Sequence, residues 1–488
     1  MTNSRNNPHL IGIDVGTTSV KAAMFDVSGN LLTSFSERYA TARGAAGEVT
    51  QNPADWMALI EKALGVVSTG VGDNAIAAVG LTSQVNTHVF VDHNLQPLLP
   101  AFTWQDMRCA GVAAELDAQV STEDKISWWG APLPIDASHV LARMEYVHRF
   151  HPHVWAKTAF VLAPKDYCIG KLTGEIVTDP MTAFGVIDSK LQLIEPLVGL
   201  VEGAKQRLPK IAGFTRPAGK ISSGFAYAGV PMVVCAMDAW AGFLGAGANK
   251  DGDAVYLSGT SEILGLVSKT KVPTPGVIAF PECEGLVIHA GPTQSGAASI
   301  DWASRLFNRP IDELFAMVSA LDPKTQAPIF LPHLDGERAP LWDANSRGVF
   351  AGATANTGAA EFTLAVMEGV AYSVRLLLES LEYSAGIKPE TFFHSGGGAL
   401  SDIWCQIRAD VLGVPVKRLK NPDAGVAGAA MLAGVGVGLY AAIAEAAQKF
   451  VQVDRIFVPR LELKSRHDVG FERYKLLYEQ LKPFNALQ

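Results

Sequence analysis

Cysteine is scarce in this 488-residue chain: Cys109, Cys168, Cys235, Cys283 and Cys405 stand far apart, with no CxxC pair and no cysteine–histidine cluster. That spacing argues against a disulfide framework or structural zinc site and fits a reducing compartment, so a cytoplasmic location is expected. Basic charge is also short. Forty Lys and Arg stand against 48 Asp and Glu, for a net charge of −8. A nucleic-acid backbone needs concentrated cation density, so nucleic acid is not an expected partner. Long apolar runs are nearly absent. Residues 424–444 carry no charge, but glycines at 425, 428, 434, 436 and 438 make a poor lipid-facing helix. The stretch reads as a closely packed buried helix ended by glycines, and no membrane partner is expected. The opening MTNSRNNPHL is polar and lacks the apolar core of a signal peptide.

Hydrophobic residues make up 48% of the chain, which suffices for buried cores in two or three domains. The strand Leu10-Ile11-Gly12-Ile13-Asp14 turns at residues 15–19, returns through Val27, and turns again at Ser28-Gly29-Asn30 into residues 31–35. β-rich runs separated by turn residues predict two consecutive hairpins. A second strand–turn–strand unit spans residues 253–267, with Ser258-Gly259-Thr260-Ser261 in its turn. Both turns hold Gly-Thr and Ser, the mark of an internal duplication. Residues 52–67 predict a helix capped by Asn52 with Pro53 in its first turn. Strands at 77–81, 230–234 and 391–394 alternate with helices at 359–381 and 402–412, which predicts an α/β architecture. A boundary is placed in the polar stretch before Gly252, dividing the chain into domains 1–248 and 249–488, the last helix packing back on the first.

Glycine and hydroxyl residues in a hairpin turn make a cradle for phosphate, because glycine admits backbone N–H groups closely and hydroxyls add donors. Asp14, entering the first turn, suits a Mg²⁺ ion held through water on a phosphate. Alone, Gly16-Thr17-Thr18 reads as a plain turn; the matched second turn shifts the reading towards phosphate. Ser395-Gly396-Gly397-Gly398-Ala399, between a strand and a helix, suits a nucleotide lying against backbone at a helix N-terminus, or a flexible connection. It is neither GxGxxG nor a GxxxxGK[ST] P-loop. Asp238, just before a helical run, reads locally as an N-cap.

The stretches GIDVGTTSVKAAMFD, PKDYCIGKLTGEIVTD, YLSGTSE, FLPHLDGERAPLWDANSRGVFAG, HSGGGALSDIWCQIRADVLGVPV and AGVAGAAMLAGVG, in this order through most of the chain, resemble the FGGY family of carbohydrate kinases. The resemblance implies two ribonuclease-H-like domains of the actin/hexokinase type around an ATP cleft. It implies phosphoryl transfer from Mg-ATP to a hydroxyl, with Asp238 matching the general base and also touching substrate. Gly16, Thr17, Thr18, Ser19, Gly259 and Thr260 would hold ATP phosphates, and Gly397, Gly398 and Ala399 the adenosine. Gly296-Ala297-Ala298 resembles the loop beside the nucleotide.

On the sugar side, Gln84, Val85 and Asn86 stand where the xylulokinase-like branch has Gln-Met-His, so only the first matches. Trp104, Asp106 and Arg108 match a second family stretch; the last two either bind hydroxyls or brace the loop as an ion pair. Ala239 replaces the Asn usual after the base. His88, His93 and His139 lack metal-ligand spacing and read as packing or polar residues, and Trp128-Trp129 as sugar-side wall or core. The reading is an ATP- and Mg²⁺-dependent sugar kinase, with a homodimer as the expected assembly and a ketopentose such as xylulose first among acceptors. Other acceptors are a tetritol, a pentitol, glycerol or ribulose. The rival is a non-catalytic, nucleotide-switched binding protein of the actin fold.

Overall fold

The computed structural model describes residues 8–69, 75–283 and 285–487; most of the polar opening stretch, residues 1–7, lies outside them. The chain forms two compact units. The first comprises residues 1–245, 281–283 and 424–451, the second residues 246–280, 284–423 and 452–488.

The first unit is built on a six-stranded sheet. Its strands are His9–Val15 (β1), Ser19–Asp26 (β2), Leu31–Arg38 (β3), Ile76–Ser83 (β4), Pro217–Lys220 (β5) and Pro231–Val233 (β6), in the order β5-β6-β4-β1-β2-β3. The predicted double hairpin is there: β1 to β3 pair antiparallel in sequence, while β4 runs parallel to both β1 and β6. Helix Pro53–Val67 starts and ends where its sequence signals lie, with Asn52 Oδ1 accepting from the Ala54 amide at 3.2 Å. It buries Trp56, Ile60, Ala63 and Leu64 against the sheet.

The glycine-rich run folds as helix Ala424–Gly436, almost wholly buried, and it belongs to the first unit. It meets the two central strands backbone to backbone at two glycines. A Cβ at Gly12 of β1 would fall 2.0 Å from the Val426 carbonyl oxygen, and one at Gly80 of β4 2.1 Å from that of Ala429. On its other side a Cβ at Gly428 would meet the Ala241 carbonyl oxygen at 1.8 Å. The element returning to the first unit is therefore this helix and the segment up to Val451, and not the last helix, Lys464–Asn485, which packs within the second unit. Among the described residues no helix is long and apolar enough to cross a membrane.

The second unit holds a seven-stranded sheet of Ala254–Ser258 (β7), Glu262–Val267 (β8), Ile278–Ala279 (β9), Ile288–Pro292 (β10), Phe392–Ser395 (β11), Val416–Leu419 (β12) and Val453–Phe457 (β13), in the order β9-β10-β8-β7-β11-β12-β13. Three antiparallel strands (β10, β8, β7) are followed by parallel β11 and β12 and an antiparallel edge. The first sheet has the same sequence of senses from β3 to β5, so the duplication suggested by two turns extends to whole sheets. Helix Ala359–Ala385 covers the core, one turn longer than predicted, and ends at left-handed Gly386. Helix Asp402–Leu412 falls on its predicted residues.

Contact through backbone alone makes Gly428 intolerant of any side chain. Gly428→Val is expected to destabilise the protein by about 3 kcal/mol or more, because neither backbone can yield. Gly65→Ala, at an exposed helical position with open space around it, should instead stabilise by about 0.5–1 kcal/mol. Thermal unfolding of both variants checks the pair.

Candidate active site

In the first unit the site begins at the end of β1. Strand pairing on both sides holds Asp14 opposite Lys21 and Thr82. Its carboxylate lies beside the first turn of helix Ala424–Gly436, where a Cβ at Gly425 would be 3.6 Å from Asp14 Oδ2. The hairpin turn that follows is closed by the Gly16 amide donating to the Ser19 carbonyl at 3.0 Å, and the Tyr39 hydroxyl donates to the Gly16 carbonyl. The Thr17 carbonyl accepts from Gln51 Nε2 at 2.8 Å, and its hydroxyl oxygen accepts from Trp104 Nε1 at 3.0 Å. The Thr17 and Thr18 amides have no acceptor among the described residues, and Thr18 is exposed. The turn is thus held from behind while its donors stay available. A single carboxylate beside such a turn fits a Mg²⁺ ion that takes its remaining ligands from phosphate and water. No group of three His, Cys, Asp or Glu among the described residues could hold a metal by itself.

Asp238 stands at the head of helix Asp238–Ala246. It is the first helical residue, one step inside the N-cap position that its local pattern suggests, and its Oδ1 accepts from the Ala239 amide at 2.7 Å. The loop before it is buried and anchored from two sides. Cys235 takes φ 56°, unusual for a residue with a Cβ, and its amide donates to Phe214 at 2.9 Å. The Thr82 hydroxyl at the end of β4 donates to the Ala236 carbonyl at 2.7 Å. Burial pushes the Asp238 carboxyl up to about 6, against a smaller opposing pull from the Ala239 hydrogen bond. A carboxylate poised there is a stronger proton acceptor than one in water.

Gln84 follows two residues after Thr82. It is buried, its amide donates to the Val15 carbonyl at 3.0 Å and its Nε2 to Gln51 Oε1 at 2.8 Å. Gln84, Gln51, Thr17 and Trp104 therefore form one chain of hydrogen bonds, joining two further predicted site positions, Gln84 and Trp104, to the first turn. Val85 is half-buried and Asn86 exposed at φ 52°, its Nδ2 donating to Ser138 Oγ at 3.2 Å.

Asp106 stands apart. It is 0% exposed, and its carboxylate accepts from the Val49 amide at 2.9 Å, the Arg108 amide at 3.1 Å and the Arg108 guanidinium at 2.8–3.1 Å. Arg108 also lies 4.2 Å over the Phe102 ring. The pair holds the Trp104–Arg108 loop in shape, the bracing alternative of the two raised by its sequence.

Two charged groups escaped the sequence reading. Arg143, on helix Val140–Phe150, is fully buried. It donates to the carbonyls of Asn86, Phe102, Thr103 and Ala137 and to His88 Nδ1, so one side chain ties three loops together. Burial pulls its guanidinium down to about 10, while burial and the Arg143 charge keep His88 neutral and able to accept. Lys165, from the PKDY motif, sits buried between Asp166 Oδ1 at 2.7 Å and Asp179 Oδ2 at 3.0 Å, with its amide on Ser83 Oγ. No periodicity separates Arg143 from Arg149 six residues on; the PKDY motif marked Lys165 without showing its partners. His139 caps helix Val140–Phe150, His93 packs on Phe160, and Trp129 is core while Trp128 packs against it.

In the second unit, the hairpin tip Gly259–Thr260 is exposed. Its carbonyls accept from the amides of Gly296, Ala297 and Ala298 at 2.8–3.2 Å, which fastens that loop to the turn. The glycine motif forms a 3₁₀ turn, Gly397–Leu400, ahead of helix Asp402–Leu412, whose own cap is Ser401. The motif therefore does not sit at an α-helix N-terminus as its sequence suggested. Of the three residues there, Gly397 is exposed with open space at its Cα, whereas Gly398 and Ala399 are buried.

Residues 9–245 match the N-terminal domain, and residues 254–437 the C-terminal domain, of the FGGY family of carbohydrate kinases. The xylulose kinase of Bacillus subtilis is 28% identical over 98% of each chain. The gluconate kinase of Lactobacillus acidophilus superposes with a TM-score of 0.88 at 23% identity over 98% of each chain, and an ADP-bound glycerol kinase of Plasmodium falciparum with 0.87 at 20% identity over 97% and 98%. With both domains matched in order and the actin/hexokinase-type fold shared, this chain belongs to the FGGY family of carbohydrate kinases and is a sugar kinase.

Proposed function

We propose that this kinase transfers the γ-phosphoryl group of ATP to a hydroxyl of a small sugar, a ketopentose such as xylulose being the first candidate, with Asp238 as general base. The observation that carries the reading is the Asp238 carboxyl, raised to about 6 by burial at the head of its helix, on a loop tied to the same strand end that carries Gln84. The names of full-length relatives, xylulose kinases of Bacillus subtilis and Escherichia coli among them, point the acceptor towards xylulose.

In this mechanism the substrate hydroxyl gives its proton to Asp238 as its oxygen attacks the γ-phosphorus in line. The bond from γ-phosphorus to the bridging oxygen breaks, and ADP leaves with that electron pair. On this reading Asp14 and the amides and hydroxyls of Gly16, Thr17, Thr18 and Ser19 serve the phosphates, as do Gly259 and Thr260, and the turn at Gly397, Gly398 and Ala399 serves the adenosine. Asp14 would hold Mg²⁺ through water, and the ion supplies neutralisation of charge on the phosphate oxygens. Gln84, Val85, Asn86 and Trp104 face the acceptor, with Asp106 and Arg108 fixing the loop that carries Trp104. Residues 85, 86 and 239 differ from the xylulokinase-like pattern, so acceptor choice rests on them.

Asp238→Asn is expected to lower kcat by about 10²–10⁴-fold while ATP affinity, read by calorimetric titration, stays within about twofold. Loss of nucleotide binding from the folded variant would make Asp238 structural. The pH profile of kcat/KM should fall with unit slope below about 6, where Asp238 becomes protonated in the free enzyme. The same upward shift costs stability. The folded state holds the proton more tightly than the unfolded chain, so the penalty is present above pH 6 and gone below about 4. Asp238→Asn should therefore raise stability at pH 8 by about 1–2 kcal/mol and leave it unchanged at pH 4. ADP production across ketopentoses, tetritols, pentitols, glycerol and aldonates tests the acceptor. No stimulation by any of them, from folded protein that binds ATP, would favour the nucleotide-switched alternative.

A further inference from the structure

Beneath the two nucleotide-facing turns of the second unit lies an ion pair that the mechanism leaves unused. Arg408, on helix Asp402–Leu412, and Glu262, the first residue of β8, are both 0% exposed, with Nη2 to Oε1 at 3.0 Å. The same guanidinium donates to Ser258 Oγ at 2.8 Å and, through Nη1, to the Gly398 carbonyl at 2.6 Å. Ser258 Oγ in turn donates to Glu262 Oε1 at 3.0 Å. Nη1 also meets His394 Nε2 at 3.0 Å, and the Trp404 ring supports the guanidinium face at 4.0 Å. One side chain thus grips both ends of the Ser258–Glu262 hairpin turn and the backbone of the 3₁₀ turn at Gly397–Leu400.

The grip is close because the glycines permit it. A Cβ at Gly398 would fall 2.0 Å from Ser258 Oγ and 3.0 Å from Arg408 Nη2, and one at Gly396 2.2 Å from the Ser258 carbonyl oxygen. Two glycines of the motif therefore serve contact with β7, leaving Gly397 alone open. Removing a cation from water is expensive, and an apolar pair of similar volume would stabilise such a core as well or better. What an apolar pair lacks is a planar fork that holds a carboxylate, a hydroxyl and a carbonyl at fixed angles.

We propose that Arg408, held by Glu262 and Ser258, is a positioning residue for the nucleotide: it sets the spacing between the Gly259–Thr260 tip and the Gly397 turn so that one ATP can engage both. The proposal rests on the assignment of both turns to the nucleotide. It predicts that the network governs affinity for ATP and leaves the acceptor site, which is built from the other unit, unaffected.

The test is calorimetric titration of the full-length protein with Mg-ATP, alongside steady-state kinetics. The wild type is compared with Arg408→Met, Arg408→Lys, Glu262→Gln and Ser258→Ala. Expected results are a Kd and KM for ATP raised tenfold or more in Arg408→Met and three- to tenfold in Ser258→Ala. The KM for the sugar should stay within twofold, and Arg408→Lys should recover affinity only in part, because it keeps the charge and loses the fork. Ser258→Ala removes one hydroxyl and keeps the packing, so it answers even where Arg408→Met does not fold. Folded Ser258→Ala and Arg408→Met or Glu262→Gln proteins that all bind Mg-ATP within twofold of wild type would overturn the proposal. A wild type that turns over sugar with ATP while these variants lose only thermal stability would do the same. Failure of the wild type to bind Mg-ATP would instead strike the assignment of the turns, and the proposal with it.

Discussion

Contact of backbone with backbone between helix Ala424–Gly436 and strands β1 and β4 is the constraint on which the first unit depends. Gly12 and Gly80 let the helix backbone meet the sheet, and on its other side Gly428 lets it meet the backbone at Ala241. The helix can then bring its first turn to the end of β1, where Asp14 emerges, and its flank to Ala241 in the helix headed by Asp238. Two carboxylates on different elements owe their placement to three positions that have no side chain. The arrangement also explains why a run that looks like a membrane segment by its lack of charge is a packing element. Its small residues serve closeness rather than lipid.

The polar half of the site obeys a different logic. Around Thr17, Gln84 and Trp104, side-chain amides and an indole turn inward to hold a turn whose Thr17 and Thr18 amides have no acceptor among the described residues. Asp106 and Arg108 spend themselves on each other, and Arg143 spends its donors on carbonyls and a neutral histidine from three loops. Asp106, Arg108 and Arg143 are charged groups whose hydrogen bonds restrain the loops around them. Such hydrogen bonds stiffen the loops they join, while Gln84 Oε1 is left buried without a partner among the described residues.

Much of this was legible in the chain itself, and the reasons differ by element. The double hairpin, helix Pro53–Val67 and helix Asp402–Leu412 follow from turn residues and caps, which are local. The repeated turns disclosed the duplication because a turn's chemistry survives in a few adjacent residues. The domain division was harder, since residues 424–451 join the first unit through contacts that no local signal announces. Arg108, the charged partner of Asp106, lies two residues away, and their pairing was one of two alternatives in the sequence; the Val49 amide, 57 residues away, was not legible there. Those of Arg143 and Arg408 lie up to about 150 residues away, and an isolated arginine in an amphipathic helix does not reveal which way it faces. The glycine motif misled in one respect. It read as a helix start, but two of its glycines exist to admit Ser258 and Arg408.

The first unit is discontinuous, and this has a consequence for how the protein is made. Its central sheet is encoded before residue 234, yet the helix that covers β1 and β4 is encoded after residue 423, with most of the second unit between. A ribosome therefore releases the strands of the first sheet long before their cover exists. The second unit can assemble most of its sheet in that interval, its last strand arriving only after the cover, while the first waits with an apolar face open to whatever chaperone or neighbouring chain is at hand. Translation speed through residues 246–423 then becomes a parameter of yield, and slow passage there lengthens the time for which that face stands bare.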